Sequence, residues 1–149
     1  MTLDAVDKKI LNMLLQSGRV SYTEIAKAVN MKPPSIIDRI KKMEYGGVIK
    51  GYTVQLDYSK LGYDLAAFIG VVIDKPEHIS AIEATIDEID IGIVSCYHVT
   101  GDFTLILRVI TENTNALATI IKKLRNIPGV TKTNTILIFS TMMERMRNI

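Results

Sequence analysis

Two consecutive prolines, Pro33 and Pro34, stand three residues after Asn30, between two stretches with helical apolar spacing. A proline fits an α-helix only in its first turn, where the missing amide hydrogen has no helical partner, so one helix must end near Val29 and another begin at Pro33 or Pro34. Asn30 suits the left-handed exit that so tight a connection needs. Upstream, Ser21 and Glu24 have capping-box spacing and open the short helix, with Ile25, Ala26 and Val29 as its buried face. Downstream, Ile36, Ile40 and Met43 form the inward stripe of a helix that runs to about Tyr45 and is ended by Gly46 and Gly47. An earlier helix carries Ile10, Leu11, Leu14 and Leu15; the expected cap is Asp7, the expected end Ser17, with Gly18 as the stop. Val48–Lys50 and Tyr52–Leu56 read as two short strands around Gly51, a small wing.

Three short helices with a tight turn between the second and third form a body that presents the third helix, whose first turn fits a DNA major groove. Pro34, Ser35 and Asp38 are its base-edge candidates: a hydroxyl donates or accepts, and a carboxylate accepts from a cytosine amino group or repels phosphate. Lys32, Arg39, Lys41, Lys42 and Lys50 suit backbone contacts, with Arg39 equally suited to pairing with an acidic side chain between helices. Tyr22 and Tyr45 read as packing residues. Charge distribution agrees with a polyanionic partner at the front. Residues 1–60 hold ten Lys or Arg against six Asp or Glu, a surplus of four, whereas residues 61–149 hold eight against ten, within a total of +2 over 149 residues.

Behind the helices the period changes. Leu65–Ile73, Ile91–Thr100, Phe103–Ile110 and Val130–Phe139 read as strands. Ile79, Ile82, Ile86 and Ile89 define one helix, and a second spans Asn115–Asn126 with Leu117, Ile120, Ile121, Leu124 and Ile127 as its stripe, broken by Pro128-Gly129. The order β-α-β-β-α-β is the ferredoxin-like arrangement, two helices on one face of a four-stranded antiparallel sheet. Phe68, Gly70, Val72, Val94, Cys96, Leu105 and Leu107 make the strands too apolar for a wet second face, so a second copy of the chain is expected to cover it, giving a two-fold dimer. The expected organisation is a DNA-binding domain over 1–54, a linker and hinge over 55–64, and a ligand-binding and oligomerisation domain over 65–149. The tail from Ser140 carries Met142, Met143 and Met146, suited to packing at an interface.

Other classes find little support. His78 and His98 lie in no zinc-site or nucleophile–base spacing, and no glycine-rich phosphate loop is present, so neither an enzyme nor a metal or cofactor site is expected. Cys96 is the one cysteine and reads as a small buried hydrophobe. No apolar run approaches the ~20 residues of a spanning helix, and Asp4 and Asp7 spoil a signal-peptide pattern, so the expected location is the cytoplasm, away from membranes. An architectural DNA-binding protein that answers to no ligand shares every feature above.

The residues together carry a family pattern. It comprises Leu3-Asp4, Ile10-Leu11, Gly18-Arg19-Val20-Ser21-Tyr22, Glu24-Ile25-Ala26, Pro33, Arg39-Ile40, Met43-Glu44 and Gly47-Val48-Ile49-Lys50-Gly51-Tyr52. It continues with Leu61-Gly62-Tyr63, Val99-Thr100-Gly101-Asp102-Phe103, Pro128-Gly129-Val130 and Thr133-Asn134-Thr135. In these the chain resembles, over essentially its whole length, the leucine-responsive/asparagine-regulator (Lrp/AsnC) family of bacterial and archaeal transcription factors. The resemblance implies a winged helix-turn-helix joined to an ACT-like regulatory domain, binding to double-stranded DNA, and homodimers that assemble into tetramers or octamers. It also implies response to a small amino acid or related metabolite between rear domains. That effector site maps onto Gly101, Asp102, Phe103 and Thr104, with Thr133 and Thr135. Gly101 would bring a backbone amide to a carboxylate and Asp102 would accept from an ammonium or simply form the turn; the two threonines serve equally as sheet formers. The chain departs from the family pattern at Lys32, commonly a serine cap, and at Thr104, commonly an aspartate.

Overall fold

The computed structural model describes residues 2–149, the side chain of residue 87 excepted, and divides them into two compact units. One takes in the chain through Leu56 together with Met143–Ile149; the other is Asp57–Met142.

The first unit has three helices: α1 (Ala5–Gln16), α2 (Tyr22–Val29) and α3 (Pro33–Tyr45). Its core is Ile10, Leu11, Ile25, Ala26, Ile36, Ile40 and Met43, all from the expected stripes; Leu14 and Val29 are only partly buried against it, and Leu15, expected in the α1 stripe, is 40% exposed. Two further details differ from expectation. The cap of α1 is Asp4, whose side chain accepts from the Asp7 amide while the Asp7 carboxylate accepts from the Asp4 amide. Helix α1 therefore starts a turn earlier than an Asp7 cap implies. The expected strand pair of a wing is not formed either: residues 48–57 include no strand. The amides of Val48 and Ile49 both donate to the Met43 carbonyl, at 2.9 and 3.1 Å, and fold the chain back on the end of α3. With those two donors spent, Val48 and Ile49 have no amide left to donate to the extended stretch after Gly51. Elsewhere the local chemistry is as read. Ser21 and Glu24 cap α2 reciprocally, and Asn30 leaves it at φ 54°.

The second unit opens with a 3-10 turn (Tyr58–Leu61), Tyr58 and Tyr63 meeting edge to face at 6.3 Å. Then follow β1 (Leu65–Ile73), α4 (Pro76–Ile89), β2 (Ile93–His98), β3 (Leu105–Thr111), α5 (Thr114–Arg125) and β4 (Val130–Ile138). The sheet is antiparallel in the order β2-β3-β1-β4, the ferredoxin-like topology. Ala67, Ile69 and Val71 of β1 pair with Val109, Leu107 and Leu105 of β3, and all pack against Ile82 and Ile86 of α4 and Leu117, Ile120 and Leu124 of α5. Both helices thus cover one sheet face. Leu105 and Leu107, counted above with the face awaiting a partner, lie on this buried one. Cys96, expected to be buried, is exposed on the edge strand β2. The open face carries Phe68, Ile136 and Tyr97, which remain 37, 53 and 57% exposed.

Candidate nucleic-acid interface

At about 100° per residue, the buried stripe Ile36, Ile40, Met43 fixes the opposite side of α3. That side holds Pro34, Asp38, Lys41, Lys42 and Tyr45, all exposed, with Ser35 half-buried beside them. Ser35, Asp38, Lys42 and Tyr45 share one shallow hollow with Thr2, Asp7 and Arg39. Lys32 occupies the cap position of α3 and makes no side-chain cap bond, because an ammonium has no lone pair to offer; only its carbonyl serves, accepting from the Ser35 amide. Pro33 and Pro34 carry no amide hydrogen and the Ser35 amide is spent on that carbonyl, so the start of α3 presents an exposed cation rather than free amides. Lys50 is exposed beyond the turn at Gly47.

Arg39 stands apart from the other cations. Its Nη1 lies 2.7 Å from Asp4 Oδ2 and 2.7 Å from Asp7 Oδ1, joining α3 to the start of α1. The pair with Asp4 and then that with Asp7 raise the guanidinium pKa, and the Asp7 amide followed by Arg39 lowers that of the Asp4 carboxyl.

Two features escaped the sequence reading. Tyr45, expected to pack, is 91% exposed on the outer side of α3; its place seven residues after Asp38 was the available sign. Tyr52 donates its hydroxyl to Glu44 Oε1 at 2.8 Å, tying the segment beyond α3 to the helix. Burial first, then that carboxylate, push the Tyr52 phenol up to about 12.

The rear candidates do not converge within one chain. Gly101, at φ 111°, and Asp102 are exposed at the turn before β3. The Phe103 ring lies over Gly70 on the open sheet face, so close that a Cβ at Gly70 would meet Cδ1 at 2.6 Å. The Thr104 hydroxyl accepts from the Ile73 amide at 3.1 Å, while its own amide donates to the Val71 carbonyl. Thr133 and Thr135 pair with Val71 and Ile69 and therefore face the helices, on the side opposite Phe103. Thr133 Oγ1 accepts from Arg125 Nε of α5 at 2.7 Å. Among the described residues no cluster of three or more His, Cys, Asp or Glu is placed to hold a metal, and no helix is long and apolar enough to cross a membrane.

Comparison with known proteins agrees with this architecture. Residues 3–44 match the AsnC-type helix-turn-helix domain and residues 66–148 match the Lrp/AsnC ligand binding domain. An HTH-type transcriptional regulator of Pyrococcus horikoshii is 40% identical over 147 residues, spanning 99% of this chain and 98% of its own. Regulatory protein AsnC of Haemophilus influenzae is 32% identical over 136 residues, spanning 91% and 90%. Among solved structures, AsnC of E. coli superposes with a TM-score of 0.92 at 25% identity over 100% of both chains. A transcriptional regulator of Neisseria meningitidis, solved in complex with L-Met, gives 0.90 at 25% identity over 97% of this chain and 94% of its own. With a helix-turn-helix domain matched over residues 3–44 and a ligand-binding domain over residues 66–148, the chain belongs to the Lrp/AsnC family of transcriptional regulators.

Proposed function

We propose that the chain controls transcription from the cytoplasm as a homodimer or higher assembly. Residues 1–54 bind double-stranded DNA, 55–64 act as the hinge, and 65–149 hold the copies together and receive a small amino acid. The observation that carries the DNA reading is the outer side of α3, where Pro34, Ser35, Asp38, Lys41 and Lys42 are grouped opposite a fully apolar stripe. In this reading Ser35 and Asp38 meet base edges, and Lys41 and Lys42, flanked by Lys32 and Lys50, meet phosphate. The open sheet face, with Phe68 and Ile136 exposed, is the surface on which a second copy packs. The left-handed turn at Gly101 offers backbone amides to a carboxylate, and Asp102 beside it offers an acceptor to an ammonium. The Neisseria regulator solved with L-Met supports an amino acid as the class of effector. Thr133 and Thr135 face the helices, opposite the sheet face on which the second copy packs, so any part they take in that site is through the β4 edge.

The test is a DNA titration in which a duplex enriched from a random pool by the protein is compared with a scrambled one, with and without each amino acid at millimolar concentration. Mass is followed by sedimentation. Discrimination between duplexes, a dimer or larger species, and a shift in either with one amino acid are the expected results. Equal affinity for both duplexes overturns base reading by α3. Binding unaffected by every amino acid, or undiminished in Asp102→Ala, overturns the effector site.

A further inference from the structure

We infer that Arg39 is a positioning residue for DNA reading: the two carboxylates that cap α1 clamp its guanidinium and fix how α3 is presented, leaving phosphate to Lys41 and Lys42. The inference rests on the reading of α3 as the DNA-contacting helix and assigns one of its cations a different task.

The clamp uses every carboxylate oxygen once. Asp4 Oδ1 takes the Asp7 amide at 2.8 Å and Asp7 Oδ2 takes the Asp4 amide at 3.0 Å, which closes the end of α1. The remaining oxygens, Asp4 Oδ2 and Asp7 Oδ1, both receive Arg39 Nη1 at 2.7 Å. Cap and ion pair are therefore one unit, and the helix end orients the acids that hold α3. The Asp7 side chain is only 8% exposed, so its charge depends on Arg39 for compensation. Two negative charges surround one positive charge, and a phosphate would have to compete with both carboxylates at contact distance. Arg39 also lies four residues after Ser35 and three before Lys42, so a shift of its anchor moves the whole outer side of α3. Apolar packing by Ile36, Ile40 and Met43 holds the helix against its neighbours, and the bridged guanidinium adds a directional contact to it.

Asp4→Asn separates the two roles. Asparagine is as good a cap as aspartate and keeps an oxygen for the Asp7 amide, so α1 is retained while one charge of the clamp is lost. The protein becomes more positive by one, and a charge-only view expects tighter DNA binding. Positioning expects the opposite sign: affinity for the enriched duplex falls about threefold, affinity for the scrambled duplex stays level, and the dependence of log K on log salt keeps its slope. Arg39→Gln, which strands the Asp7 charge, should cost the enriched duplex about tenfold or more, again without change of slope, and Arg39→Lys should recover part of it. Lys42→Gln provides the contrast, lowering the slope by ~0.9 as one phosphate contact is lost. If Asp4→Asn tightens binding to both duplexes, or Arg39→Gln lowers the slope as Lys42→Gln does, Arg39 is a phosphate ligand and the inference fails while DNA reading by α3 stands. If the wild-type protein enriches no duplex, DNA reading itself fails and the inference falls with it.

Discussion

The carboxamide of Asn12 grips the backbone of Ile149, its Nδ2 donating to the Ile149 carbonyl at 2.7 Å and its Oδ1 accepting from the Ile149 amide at 2.8 Å. Segment Met143–Ile149 thereby belongs to the helical unit, where Met146 and Ile149 line a groove with Leu11, Leu14, Leu15, Val48, Tyr52 and Val54. Methionine suits so shallow and irregular a seat because its unbranched chain adapts to it.

Asn12→Ala removes both bonds. They are exposed, and each contributes roughly 0.5–1.5 kcal/mol at most, so the three-helix core should survive with a small drop in melting temperature. The segment itself should open more often, and trypsin should cleave after Arg145 and Arg147 several times faster than in the wild type. Equal cleavage rates would show that the apolar contacts alone hold the segment.

Gly70 is required by the aromatic ring above it. Gly70→Ala puts a methyl 2.6–2.7 Å from three atoms of the Phe103 ring, and displacing the ring should cost about 1–3 kcal/mol in chemical denaturation. In a Phe103→Ala background the same substitution should cost little, since alanine otherwise suits a strand better than glycine. A full cost in that background would locate the conflict elsewhere than at Phe103.

Much of this architecture was legible in the residues. Strands β1 and β4 begin where expected and α5 is bounded within a residue, because long apolar runs there are cut by Gly, Pro and Asn. The cap of α1 was misplaced because Asp4 and Asp7 are both competent caps three apart, and only the fold shows that each serves the other. The wing was overread because two short β-prone runs around a glycine look like a hairpin, whereas the Met43 carbonyl captures the amides of Val48 and Ile49. The rear candidates follow from the family resemblance, which maps a site onto the Gly101–Thr104 turn and onto β4. Which way Thr133 and Thr135 face follows from the register of β4 on β1, a long-range pairing that spacing along the chain does not encode.

Acid should unfold the protein partly through Asp90. Lys123 Nζ, 2.9 Å from Oδ2, and then the Gly92 amide, 2.9 Å from Oδ1, hold this carboxyl below its ordinary 3.8. A carboxyl whose folded pKa is the lower one binds its proton more readily when unfolded, so its stabilisation is complete above about pH 5 and is lost as pH falls through the folded value. Asp4, Glu24 and Asp74 are shifted the same way and add to the trend. Urea midpoints should be level from pH 7 to pH 5 and then decline. Asp90→Asn keeps an acceptor for Gly92 and should flatten part of that decline; an unchanged profile would remove Asp90 from the account.

The alkaline side reports on Tyr52. Its hydroxyl donates to Glu44 at 2.8 Å, and desolvation of the phenol, followed by the neighbouring carboxylate, holds the proton until about pH 12. The residue is 57% exposed, but its hydroxyl is engaged by Glu44. A folded pKa above the unfolded value means that the contribution to stability is complete below about pH 10, the ordinary phenol value, and is lost as pH rises toward 12. The chain has six tyrosines, so the measurement is the ultraviolet titration difference between wild type and Tyr52→Phe. That difference should isolate one phenol ionising near 12 rather than near 10. Tyr52→Phe should also loosen the segment after α3, read as faster amide exchange at Gly51–Val54, because the bond to Glu44 is what fastens this strandless stretch to the helix. A difference curve centred near 10 would mean that the Tyr52–Glu44 bond does not persist in solution, and the segment beyond α3 would then lack its side-chain anchor to that helix.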